Sequence, residues 1–247
     1  MPALSVILGG LGSRQQLTGQ LSELQRSLRP TTPDYEVLLV GPHANSSLAD
    51  NYESEHSKRL RFVAVDQPNA SLADWVRRGL EASASDLVAL VEFGNRAACR
   101  YIPPALARLA RADFVQGKRR RQGLHKLSHR LARIPQWLVL GLDVHDPGCL
   151  FWAARREALA EVPLNNDVLR YLGPLVAENG YRVDEIAVPY AISADRSAEH
   201  FENPGNLLIA WREKLRLRIE QEELLDAQKD STPPATIPFP TQQRKSA

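Results

Sequence analysis

The chain has 247 residues, 43% hydrophobic and 24% charged, with a net charge of +2, which allows one sizeable core and excludes a polyanion binder by bulk composition. Two cysteines, Cys99 and Cys149, exclude a disulfide framework, show no metal-ligand spacing and suit a reducing cytoplasm. No apolar run approaches the roughly 20 residues that a bilayer span needs, and the amino terminus reads as a buried strand instead of a signal peptide, so a cytoplasmic protein is expected, free or peripheral on the membrane.

Residues 4–8 form a short apolar run ending in Gly9-Gly10 and predict a first strand. Leu17, Leu21, Leu24 and Leu28 then recur at helical spacing, which predicts a helix over 13–28. Pro30 and Pro33 interrupt the chain before a second buried strand over 35–40, and residues 61–65 form a third. A helix from about Ser71, carrying Trp75, Val76 and Leu80, leads into a fourth strand over 87–91. Strands alternating with helices at this spacing imply βαβ units, right-handed crossovers and a mostly parallel, doubly wound α/β sheet flanked by helices.

The second half is less regular. Pro103-Pro104 opens a short helix through Leu109, and residues 114–117 predict a strand. Between Asp113 and Asp143 there is no acid, while Lys118, Arg119, Arg120, Arg121, Lys126, Arg130 and Arg133 all fall inside. That distribution is either a solvated helix face plus loop, with the helix over 124–142, or a site for phosphate or an anionic membrane surface. An acidic tight turn at Asp146-Pro147-Gly148 is expected to pass into a helix that includes Arg155 to Leu159. Residues 183–190 alternate as a half-buried strand, residues 207–228 form an amphipathic helix, and the proline-containing tail over 231–247 carries no packing pattern and reads as disordered. The implied organisation is a domain over 1–215, the end of the amphipathic helix over 216–230, and the tail.

Several of these segments carry a resemblance. Gly117-Lys118-Arg119, the turn and following segment from Asp146 to Leu159, and Gly180-Tyr181-Arg182-Val183-Asp184-Glu185 resemble the acceptor half of the family 2 glycosyltransferases of the dolichyl-phosphate mannose synthase type, over about residues 3–215. The resemblance implies a GT-A fold and transfer of a hexose from a nucleotide-diphosphate sugar to a polyprenyl phosphate. Such enzymes neutralise the departing diphosphate with Mg²⁺ or Mn²⁺ held by an Asp-x-Asp pair after the fourth strand. The corresponding triplet here is Glu92-Phe93-Gly94, so Glu92 is the implied metal ligand and Gly94 supplies no second carboxylate.

The nucleotide half departs further. The Asp-Asp-Gly-Ser type turn expected after the second strand is Gly41-Pro42-His43-Ala44-Asn45-Ser46-Ser47, with no acid. Gly9-Gly10-Leu11-Gly12 replaces the first loop and matches neither the dinucleotide fingerprint nor a P-loop. Asn69 matches an Asn that opens the third helix in the family and is either a nucleotide contact or a cap. On the acceptor side the resemblance implies that Arg119 contacts a phosphate, with Arg130 and Arg133 one turn apart beyond it, and that Asp146 orients the acceptor or the sugar. The late lysine-containing phosphate element survives only as Arg196-Ser197.

Two functions from different classes follow: a glycosyltransferase with reduced activity, or a non-catalytic module on the same fold that docks on an anionic membrane or a partner protein. Nucleic-acid binding is not expected, because the basic run lacks the interleaved aromatics that stack on single strands.

Overall fold

The computed structural model describes residues 3–9, 13–42, 59–65, 67, 70–120, 146, 149–165, 169, 171–189, 211–212, 215–216 and 219, with the side chains of Arg119 and Arg120 outside that description. Seven strands form one sheet: β1 (Leu4–Gly9), β2 (Tyr35–Gly41), β3 (Leu60–Ala64), β4 (Leu87–Glu92), β5 (Phe114–Arg120), β6 (Trp152–Arg155) and β7 (Val183–Pro189). Their order is β3-β2-β1-β4-β6-β5-β7. All pairings are parallel except those of β6, which runs antiparallel to both β4 and β5. Since β5 is antiparallel to β6, it runs the same way as β4. Six strands therefore share one direction, and the α/β GT-A sheet expected from the sequence is mostly parallel.

Helices cover both faces because β1 is buried along its whole length and a parallel sheet must be shielded on each side. Strand alternation divides the core accordingly. Leu4, Val6, Leu8, Val37, Leu39, Ala89 and Val91 meet helix α1 (Arg14–Leu28) and helix α3 (Ile102–Arg108). Ile7, Leu38, Val40, Val88 and Leu90 lie on the face covered by helix α2 (Leu72–Ala82), and helix α4 (Leu172–Glu178) covers the same face at β5 and β7. Each fully buried leucine in these layers contributes about 1.5–3 kcal/mol relative to exposure. Helix α2 lies so close to β1 that a Cβ on Gly79 would stand 2.8 Å from Ile7 Cγ2, so glycine at 79 sets the helix–sheet distance.

Two expectations need correction. The segment from Arg155 is not helical at its start: Arg155 ends β6, and only Arg156–Leu159 forms a single 3₁₀ turn. Helix α4 has no counterpart in the sequence reading. Of the amphipathic helix expected over 207–228, the five described residues are helical and exposed, including Trp211, Leu215 and Ile219. The basic helix expected over 124–142 and the tail over 231–247 lie outside the described residues.

Ion pairs tie the periphery together. Asp113 accepts two hydrogen bonds from the Arg182 guanidinium at 3.1 Å each and one from the Arg182 backbone N–H at 2.9 Å, joining the starts of β5 and β7. Asp184 receives Arg108 and Arg111, both at 3.1 Å, from the end of α3. Glu23 on α1, with a side chain only 2% exposed, faces Arg100 at 2.7 Å, Arg96 at 3.1 Å and Arg26 at 3.4 Å. The hydrogen bond from Arg100 holds the Glu23 carboxyl below its usual range, and the hydrogen bond from Arg182 does the same for Asp113.

A carboxyl with a depressed folded-state pKa stabilises the fold above its unfolded value and loses that contribution as pH falls through the folded one. The urea midpoint is therefore expected to stay level from neutral pH down to about 5 and to fall below about 4.5, where unfolded glutamate begins to bind protons. Glu23→Gln should lower the midpoint at pH 7 and flatten the decline. A wild-type midpoint that rises on acidification would contradict this assignment.

Candidate functional site at the carboxyl edge of the sheet

The chain leaves β1 toward β2 on one side, whereas β4 pairs on the other, so the strand order reverses between β1 and β4. In open α/β sheets the crevice outside the carboxyl ends of strands at such a reversal is the place for a ligand. Here Gly9 pairs with Val40 on one side and with Glu92 on the other, and Gly41 pairs with Ala64. Gly9, Gly41 and Glu92 therefore stand at one edge.

The start of α1 is fixed directly behind the glycine loop. Ser13 Oγ accepts the Gln16 N–H at 3.3 Å, and Gln16 Oε1 accepts the Ser13 N–H at 2.8 Å, a reciprocal cap. Helix α2 opens in the same manner with Ser71 and Asp74. The side of Gly9 where a Cβ would lie faces Leu72 Cδ1 at 3.5 Å and Trp75 Cβ at 3.9 Å. Helix α2 thus forms one wall beside the end of β1.

The turn after β4 is held from three directions. Phe93 N–H donates to the Gly9 carbonyl at 3.1 Å, continuing the β1–β4 ladder. Gln20 Nε2 donates to the Glu92 carbonyl at 2.8 Å, and Gly94 N–H donates to Gln20 Oε1 at 2.9 Å. Gly94 has φ of +86°, in the left-handed region that favours glycine. Asn95 Oδ1 then accepts the Ala98 N–H at 3.2 Å and starts the 3₁₀ helix Arg96–Tyr101, whose Arg96 and Arg100 reach Glu23. Cys99 is fully buried in that helix, and burial pushes its thiol up to about 12. A thiol protonated at neutral pH is no nucleophile, which leaves Cys99 as core.

Asp146 and β6 approach from the acceptor side. Because β6 is antiparallel, its start lies at the same edge as the ends of β4 and β5. Gln116 Nε2 on β5 donates to the Asp146 carbonyl at 3.0 Å, and Cys149 N–H donates to that same carbonyl at 3.1 Å. Asp146 is 3% exposed. Gly117 makes the approach possible, since a Cβ there would stand 2.7 Å from Cys149 Sγ and 3.1 Å from the Phe151 carbonyl.

The topology therefore brings Glu92, Arg119 near the end of β5, and Asp146 to one edge of the sheet. Asn69, Arg130 and Arg133 lie outside the described residues. Lys118, the first of the basic run, stands 4.0 Å from Glu185. Arg182 of the Gly-Tyr-Arg segment lies at the opposite edge, bound to Asp113. That segment is structural here. Sequence reasoning missed Gln20 and Glu23. Their signal was their position, because Gln20 falls inside the buried stripe formed by Leu17, Leu21, Leu24 and Leu28.

No family model and no curated protein matches the chain. Solved structures do. Glucosyl-3-phosphoglycerate synthase from Mycobacterium tuberculosis in complex with phosphoglyceric acid superposes with a TM-score of 0.61 at 16% identity, over 87% of this chain and 80% of that one. The same enzyme with Mn²⁺, uridine-diphosphate and glucosyl-3-phosphoglycerate gives 0.61 at 15% identity, over 85% and 80%. Its complex with Mg²⁺ and uridine-diphosphate gives 0.56 at 15% identity, over 89% and 79%. By this likeness the chain, a seven-stranded sheet flanked by helices, has the GT-A fold.

Proposed function

We propose that the chain is a glycosyltransferase of low turnover that binds a nucleotide-diphosphate sugar between β1 and β4 and passes the hexose to a phosphate-bearing acceptor. The observation that carries this reading is the pairing of Gly9 with Glu92 at the switch point. The neighbours that hold uridine-diphosphate beside Mn²⁺ or Mg²⁺ on the same fold support it.

A divalent cation, when bound, would offset the negative charge that builds on the leaving diphosphate. Among the described residues no group of three or more His, Cys, Asp or Glu side chains could hold a metal. Glu92 is the carboxylate at the end of β4, and one carboxylate plus substrate phosphates is an ordinary ligand set for Mg²⁺. The chain's residues thus fit a cation that arrives with the diphosphate. Asn69 would contact the nucleotide.

An acceptor phosphate is already ionised and needs placement more than a strong base. Arg119, Arg130 and Arg133 would hold that phosphate and offset its charge, and Asp146 would orient the acceptor or the sugar. A polyprenyl phosphate and a small phosphorylated acid, such as the phosphoglyceric acid bound by the neighbour, present the same group. Assays with each separate them. Among the described residues no helix is long and apolar enough to cross a membrane. A polyprenyl phosphate would be met through the basic run. The second reading, a non-catalytic module that docks on anionic membrane or a partner, is favoured by Gly41 and Gly94 standing where acids are expected.

Calorimetric titration with nucleotide-diphosphate sugars should reveal binding that requires Mn²⁺. Glu92→Ala should weaken it about tenfold or more, as expected for losing an interaction with a charged group worth about 1.5–3 kcal/mol. Absent nucleotide binding together with salt-sensitive binding to anionic vesicles would replace the enzyme by the module.

Gly94→Asp supplies the second carboxylate. It should strengthen Mn²⁺-dependent binding while lowering stability by about 1 kcal/mol, the cost of a side chain at positive φ. A Cβ there meets the end of Gln16, Nε2 at 3.1 Å, so this capping amide must give by a few tenths of an ångström. Unchanged metal dependence in a folded Gly94→Asp protein would contradict the assignment of this turn to the metal.

A further inference from the structure

We infer that Gln20 is the positioning residue of the metal turn: its amide fixes the backbone that carries Glu92. This rests on the donor reading above and adds a residue that the family resemblance does not supply.

Gln20 is fully buried. It belongs to the stripe of α1 that Leu17, Leu21, Leu24 and Leu28 press against the sheet. A leucine at 20 would extend that stripe without the desolvation cost of an amide, so the amide must make its hydrogen bonds to be tolerated. Both known bonds go to the same three-residue turn, to the Glu92 carbonyl at 2.8 Å and from the Gly94 N–H at 2.9 Å. One planar group thus spans Phe93 and sets the separation of its two neighbours. From the other side Phe93 N–H is tied to Gly9 at 3.1 Å.

One turn further along α1, Glu23 holds Arg96 and Arg100 at 3.1 and 2.7 Å, so the segment that leaves the turn is gripped by the same helix. The helix itself begins at the Ser13 cap directly after the glycine loop. The end of β1, α1 and the Glu92 turn are thereby joined into one body. Glu92 is the carboxylate that β4 brings to this edge, so its contribution to metal affinity depends on where the turn holds it.

The test compares wild type, Gln20→Leu, Gln20→Glu and Glu92→Ala. Amide hydrogen exchange is followed at Gly94 and Phe93, and uridine-diphosphate is titrated with and without Mn²⁺. In Gln20→Leu, exchange at Gly94 should accelerate at least tenfold while Phe93, bonded to Gly9, keeps its protection. The Mn²⁺-dependent affinity should fall about tenfold, toward that of Glu92→Ala, and metal-free binding should not move. Gln20→Glu keeps an acceptor for the Gly94 N–H and should preserve its protection, with a smaller loss of metal dependence. Gln20→Met, which keeps the apolar stem and loses both hydrogen bonds, takes the place of Gln20→Leu if that variant does not fold.

A folded Gln20 variant that loses Gly94 protection yet keeps wild-type Mn²⁺ dependence would overturn the positioning role. So would binding that is lost in Glu92→Ala but intact in both Gln20 variants, which leaves the donor reading standing. A wild-type protein with no Mn²⁺-dependent binding would instead overturn the donor reading, and the positioning role with it.

Discussion

Strand β1 pairs in parallel on both sides, with β2 at one flank and β4 at the other, and this junction governs the rest of the molecule. A strand so placed is buried on both faces and must be covered twice. The chain moves one way across the sheet from β1 to β2 and the opposite way from β3 to β4. Right-handed crossovers then put α1 and α2 on opposite faces. The two helices start at the same edge on opposite faces, and the ends of β1 and β4, with Gly9 and Glu92, lie at that edge. Position of the candidate site is thus a consequence of connectivity, before any side chain contributes chemistry.

The two edges of the sheet use charge differently. At the edge where strands start, Asp113 is matched by Arg182 and Arg155, and Asp184 by Arg108 and Arg111. Those ion pairs knit β5, β6, β7 and α3 and leave little for a ligand. At the carboxyl edge the fourth strand ends in Glu92, while Gly9, Gly41 and Gly94 occupy neighbouring positions. Among the described residues, glycines thus end β1 and β2 and follow β4. Buried polar side chains from α1 compensate: Gln20 holds the turn, and Glu23 anchors the arginines that follow it.

Much of this was legible in the sequence where periodicity was strong. Strands β1 to β4, helices α1 and α2, the proline-led α3 and the half-buried β7 all follow from their patterns. Strand β6 did not, because Trp-Ala-Ala-Arg is only four residues long and its two alanines carry no strand preference. It runs into Arg156-Glu157-Ala158-Leu159, which extends a helical reading backwards. Helix α4 was hidden by Gly173 and Pro174 inside seven residues. Gln20 and Glu23 escaped because polar residues on an amphipathic helix are ordinarily assigned to water, although their place in the leucine stripe marks them as buried. Glu92 and Asp146 were identified by resemblance, and topology then set them at one edge. Arg182, part of the same resemblance, belongs to the other.

On this reading the ligand is expected at the reversal between β1 and β4. Backbone hydrogen exchange across the whole chain, with and without uridine-diphosphate and Mn²⁺, tests it most directly. Added protection should concentrate at Gly9, Val40, Gly41 and residues 92–95, while Asp113 and Arg182 at the far edge stay unchanged. Protection that appears at the far edge, or none at the ends of β1 and β4 under conditions where the nucleotide binds, would contradict the account.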